Sequence, residues 1–136
     1  MKLERINYRD LNAKAQEMYN FHKVAAVLAD YGYTSIWLSN DWNGADFIAV
    51  HIDGVSDIKV QLKGGPSFAK KYRAKKLYIC FMSEGNVYLY PHDEILNQVE
   101  QVISDKKWQE KGTYFQTKLT SRFSQILEPY KIEGNT

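Results

Sequence analysis

The sequence holds one cysteine, three prolines and eight glycines in 136 residues. With Cys80 alone, neither an intramolecular disulfide framework nor a multi-cysteine zinc site can be assembled. Cys80 sits in the apolar run of residues 77–82, where it reads as a small buried hydrophobe. No segment approaches the ~20 apolar residues that span a bilayer, and residues 1–5 lack the apolar stretch of a signal peptide. A reduced, cytoplasmic protein is expected. No stretch is rich enough in Pro, Gly or Ser to act as a linker, and no repeat is present. A strong charge of one sign is also lacking. Eighteen Lys and Arg against sixteen Asp and Glu leave +2, too little to make the whole molecule a polyanion binder. Any nucleic-acid surface must come from local clustering. What remains is an ordinary globular balance, 44% hydrophobic and 25% charged, sized for one domain with its own core.

The strongest periodic element spans about residues 7–30. Leu11, Ala15, Met18, His22, Ala25 and Ala29 recur at helical spacing, and Phe21, Val24 and Leu28 widen the stripe. Asn7 is placed to cap the start, and Gly32 to take the left-handed conformation after the end. Residues 34–39, 45–52 and 55 or 57–63 follow as β-type runs, with Asp53-Gly54 as a hairpin signal between the last two. Gly64-Gly65-Pro66 stops the third run. Beyond a basic stretch, residues 77–82 and 86–90 read as strands. A helix over 91–104, a short strand over 114–116 and a final helix over 121–130 complete the order. Residues 133–136 read as a frayed tail. The expected fold class is α/β in the mixed α+β sense: an N-terminal helix, then a β-meander of a mixed central sheet, flanked by helices.

Side chains alternate faces along a strand. On the third run, Lys59, Gln61 and Lys63 share one face. On the second, Asp46 shares a face with Ile48 and Val50, while Phe47 and Ala49 take the other. A strand apolar on both sides is central and covered, so Asp46 is an acid entering a buried strand and needs a cation. A two-residue turn at Asp53-Gly54 sets Asp46 opposite Gln61; a four-residue loop sets it opposite Lys63. Both place Asp46, Gln61 and Lys63 on one face, a cluster of acid, carboxamide and ammonium at one end of a hairpin.

Asp46, followed fifteen positions later by Gln61-Leu62-Lys63 on the next strand and preceded by an amphipathic helix, resembles the PD-(D/E)xK nuclease superfamily with its restriction-endonuclease-like fold. The resemblance covers about residues 7–90. It implies a core over about 7–104 with a C-terminal extension over about 105–132. It also implies Mg²⁺ or Mn²⁺, one or two ions, held by Asp46, Gln61 and the Leu62 backbone carbonyl, with Lys63 assisting the attacking water. Many members carry a glutamate on the first helix, and Glu17 is the counterpart, reaching the metal directly or through water. Glu17 also stands on its own: it continues the row of Phe21, Val24 and Leu28 at the edge of the apolar stripe. The plainer alternative pairs it with Lys14 or a sheet lysine. Two positions depart from the family pattern, Ala45 for the proline and Gln61 for the second acid. A carboxamide oxygen ligates a hard cation but removes one negative charge.

Lys70-Lys71-Tyr72-Arg73-Ala74-Lys75-Lys76 places five cations in seven residues just beyond the third strand. Such a patch gives sequence-independent, salt-sensitive phosphate affinity. Tyr72 is positioned either to stack on a base or to serve as amphipathic cover. Lys106, Lys107 and Lys111, interleaved with Asp105 and Glu110, read as ordinary surface. His22 reads as a satisfied core histidine, and His51 and His92 lack metal-ligand spacing. Trp42 and Asp41, in the loop before Asp46, are a residue to watch and a second-choice acid. The leading expectation is a Mg²⁺-dependent nuclease or its diverged descendant, acting on nucleic acid, with DNA ranked ahead of RNA. The alternatives are a non-catalytic nucleic-acid-binding domain of the same fold, or a protein-interaction module retaining only the scaffold. No membrane partner is expected, and the family's habit of pairing makes a homodimer a further expectation.

Overall fold

A computed structural model describes residues 1–132; the expected tail at 133–136 and the side chain of Asp41 lie outside the described residues. The first helix, α1 (Ala13–Ala29), begins later than the periodicity implies. Asn12 caps it, accepting the Ala15 N–H at 2.8 Å, and the residues ahead form a 3-10 turn at Tyr8–Asp10. The helix buries Phe21, Val24 and Leu28, so the row expected as a flank is the centre of the contact. His22 and Ala29 are exposed, against expectation. The larger side chains bury more apolar area and set the rotation of the helix.

Strands β1 (Tyr33–Trp42), β2 (Ala45–His51) and β3 (Ile58–Leu62) form the antiparallel meander. Phe47 pairs with Val60, Ile48 with Lys59 and Ala49 with Ile58, the register that a two-residue turn implies. The connection is longer than that. Gly54, at φ +72°, donates its N–H to the His51 carbonyl at 3.0 Å. Asp53 accepts the Val55 and Ser56 N–H groups at 2.7 and 2.8 Å. An Asx-type loop therefore closes the hairpin without moving its register.

From β3 the chain crosses over to β5 (Leu77–Ser83), which lies parallel to it, and returns antiparallel as β6 (Asn86–Pro91). With β8 (Lys131–Ile132) at the far edge, the six-stranded mixed sheet runs β1-β2-β3-β5-β6-β8. Two short strands inside the connections, β4 (Ser67–Ala69) and β7 (Thr113–Phe115), pair separately. A Cβ on Gly65 would lie 2.0 Å from the Gln116 carbonyl oxygen, so this close approach requires glycine. Helices α2 (His92–Ile103), α3 (Lys106–Lys111) and α4 (Ser121–Leu127) complete the chain. Lys106, Lys107 and Lys111 are exposed, as expected, on a short capped helix that the sequence reading did not include. Asp105 accepts the Trp108 N–H at 2.8 Å, Gly112 ends the helix at φ +69°, and Trp108 is buried.

The sheet has two cores. On one face α1 packs against Phe47, Ala49, Val60, Cys80 and Val87. On the other, Ile79, Phe81, Tyr88 and Tyr90 meet Ile95, Leu96 and Val99 of α2, with Trp108 and Phe123. The molecule is thus mixed α and β, with helices on both sides of a mixed sheet. Among the described residues no helix is long and apolar enough to cross a membrane.

Candidate functional site

Alternation along β2 and β3 carries Phe47, Ala49 and Val60 toward α1 and leaves Asp46, Gln61 and Lys63 on the opposite face. There the crossover between β3 and β5 passes over them. A cavity of about 340 Å³ results, lined by Gly44, Asp46, Gln61, Lys63, Lys71, Tyr72 and Lys75. The three residues singled out from strand parity therefore share one cavity, joined by two lysines of the basic connector. Gly44, rather than Trp42, closes one side: at φ +86° its Cβ would lie 2.9 Å from Leu77. Trp42 is exposed, with the Lys59 ammonium 5.8 Å from its ring.

Asp46 is half-buried, and its Oδ2 accepts the Leu62 N–H at 2.8 Å. The ladder between β2 and β3 has ended at Phe47 and Val60, so the carboxylate takes up a strand N–H beyond it. A buried strand acid calls for a cation; the charge-assisted bond from the Leu62 N–H is a partner of a different kind. Lys63 and Lys71 hold their ammonium groups 5.7 and 5.5 Å from the Tyr72 ring. Tyr72 itself is buried, edge-on to His92 at 5.4 Å. Of the two readings of Tyr72, the structure has it as packing beneath the lysines.

The basic connector divides by direction. Lys71 and Lys75 face the cavity. Arg73 is tied to Glu100 at 2.6 Å, holding that carboxyl below its usual range through the hydrogen bond. Lys70 lies 5.3 Å from the Trp108 ring. Lys76 borders a different cavity, with His92, Asp93 and Glu94.

His92 organises this arrangement, a role that spacing rules gave no means of finding. It is fully buried; Nε2 accepts the Ala69 N–H at 3.1 Å and Nδ1 lies 2.8 Å from Asp93 Oδ1. An accepting Nε2 fixes the proton on Nδ1, so the ring is neutral and donates to Asp93. Burial pushes its pKa down, against the opposing pull of Asp93. Asp93 in turn accepts the Ala74 N–H at 2.9 Å, where the chain turns at φ +63°. Partial burial raises Asp93, yet the hydrogen bonds from His92 and Ala74 outweigh it and leave its pKa lowered. The two residues at the start of α2 thus hold the connector at Ala69 and at Ala74, on either side of Lys71. Cys80 is buried, as expected, and burial pushes its thiol up.

Glu17 does not line the Asp46 cavity. It pairs with Lys14 at 3.0 Å, the plainer of the two expected arrangements, and borders a second cavity of about 510 Å³. The two cavities adjoin, since both are lined by Lys63, Lys71 and Tyr72.

Among the described residues no group of three or more His, Cys, Asp or Glu side chains is close enough to hold a metal ion. The residues lining the Asp46 cavity carry one carboxylate, one carboxamide and one phenol hydroxyl as side-chain oxygens, with three lysines beside them. Hard oxygens suit Mg²⁺, and Mg²⁺ commonly keeps several waters and takes one or two carboxylates plus substrate phosphate. The donor set fits an ion that arrives with a phosphodiester, not one held in advance by a cage of acids. Comparison with family models, with curated proteins and with solved structures gives no match.

Proposed function

We propose that the protein is a metal-dependent nuclease of the PD-(D/E)xK type, with a restriction-endonuclease-like core, cutting nucleic-acid backbones at the Asp46 cavity. The observation that carries this reading is the convergence of Asp46, Gln61 and Lys63 with Lys71 and Lys75 around one cavity. A Mg²⁺ or Mn²⁺ ion bound with substrate would be held by Asp46, Gln61 and the Leu62 carbonyl, supplying Lewis-acid polarisation of the phosphodiester and a more acidic water. Lys71 and Lys75 bind the phosphates on either side of the scissile one. Lys63 orients the attacking water and offsets charge developing on the phosphorus. Glu17 stands beside the neighbouring cavity, paired with Lys14, and would reach such a metal ion only through water.

The second reading, a non-catalytic nucleic-acid-binding domain, draws support from the single carboxylate at the cavity and the pairing of Glu17 with Lys14. Cleavage of labelled single-stranded and duplex DNA in Mg²⁺ and Mn²⁺ separates the two. The nuclease reading expects cutting that drops at least a hundredfold in both Asp46→Asn and Lys63→Ala. DNA binding without metal-dependent cutting would establish the second reading, and cutting undiminished in both variants would overturn the site.

A further inference from the structure

The second cavity, on the α1 side of Lys63 and Lys71, differs in chemistry from the first. At about 510 Å³ it falls within the range of small-ligand sites. Its lining includes aromatic rings that are not buried: Phe115 is 47% exposed, Tyr8 40% exposed and Tyr114 half-buried. The Tyr8 wall is fixed in place. Asn20 donates to its hydroxyl at 2.8 Å, Gln16 donates to its carbonyl at 3.3 Å, and Tyr19 meets its ring edge-on at 5.2 Å. Both amides line the cavity and bring donor and acceptor atoms to it.

The geometry points to this cavity as the seat of an unpaired nucleobase, attached to the backbone whose phosphates lie at Lys63 and Lys71. The inference rests on the nuclease reading and adds the substrate class: strands with unstacked bases, such as single-stranded or branched DNA. Two lysines common to both cavities place any bound backbone at their junction, so the next group along the chain faces the aromatic walls. A base there stacks on a preset aromatic surface and meets amides along its edge. A base held in a continuous duplex is already stacked and paired, and reaches the cavity only after extrusion.

The test uses the intact chain and fluorescein-labelled eight-nucleotide DNA, read by anisotropy in EDTA at fixed salt. The probes are the single strand, its duplex, and a strand of the same length whose sugars carry no bases. The single strand is expected to bind about tenfold more tightly than the abasic strand, which carries the same phosphates. In Phe115→Ala that ratio falls toward one. Equal binding of the two strands by the unaltered protein, or a preference for duplex, overturns the inference. Equal binding of the two strands leaves the nuclease reading standing, because that reading is tested by metal-dependent cutting in the unaltered protein against Asp46→Asn and Lys63→Ala. If no probe binds in EDTA, the inference is overturned, while the nuclease reading is decided separately by cleavage in Mg²⁺ and Mn²⁺.

Discussion

Asp46 carries two loads at once, and a pair of substitutions separates them. As a site acid it supplies the single carboxylate of the cavity; as a structural acceptor it takes the Leu62 N–H where the β2–β3 ladder has ended. Asparagine keeps an acceptor oxygen in the same place and removes the charge. Alanine removes both and leaves a partly buried N–H without this acceptor, at a cost of about 1–3 kcal/mol. Asp46→Asn is therefore expected to melt close to the unaltered protein while losing cleavage. Asp46→Ala is expected to lose cleavage and several degrees of melting temperature. Calorimetry of the two variants checks this; equal melting temperatures would remove the structural role. The sequence made the site acid legible because strand parity depends only on odd and even spacing. It concealed the structural role, since where a ladder ends depends on sheet twist and on the crossover above it.

At the scale of elements, the crossover matters most. Its lysines reach the cavity because His92 and Asp93, at the start of α2, hold the backbone at Ala69 and Ala74. That attachment requires neutral His92. Protonation removes the Nε2 lone pair that accepts the Ala69 N–H, and the charge would be buried between Asp93 and Arg73. Burial sets the folded pKa below the ordinary 6.5, so the unfolded chain takes up the proton first. The stability tied to neutral His92 is thus complete above pH 6.5 and is lost as pH falls toward the depressed folded value. Asp93 has a lowered pKa too, but its contribution is lost in a more acidic window, below its ordinary 3.8. Melting temperatures between about pH 5 and 8 are expected to fall with acidity in the unaltered protein. In His92→Gln they start lower, by about 1–3 kcal/mol of stability, and depend less on pH. Parallel curves would overturn the assignment. None of this was readable from one histidine after a proline, because burial is a property of the assembled layers. The long periodic helix and the meander were readable, since each declares its period within its own residues. The short strands β4 and β8 were not, because three or two residues carry no period and exist only through their partners.

For the whole molecule, a formal charge of +2 means that affinity for a polyanion has to come from where the cations sit. Five cations crowd the connector, yet Arg73 is spent on Glu100, Lys70 lies over Trp108, and Lys76 faces another cavity. Three ammonium groups, Lys63, Lys71 and Lys75, face the site. Each neutralised phosphate releases counterions, so the salt dependence of binding counts the contacts. For a single strand, at about −0.7 per contact, three contacts give a slope of about −2 in log affinity against log salt. Engagement of Lys63 together with the five connector cations would give about −4. A titration between about 50 and 200 mM salt is expected to yield the shallower value, and Lys75→Ala to flatten it by about 0.7. A slope near −4 would mean that Arg73 leaves Glu100 for the nucleic acid. The connector would then rearrange on binding, and its hold on α2 would act as a latch rather than a fixed support for the site.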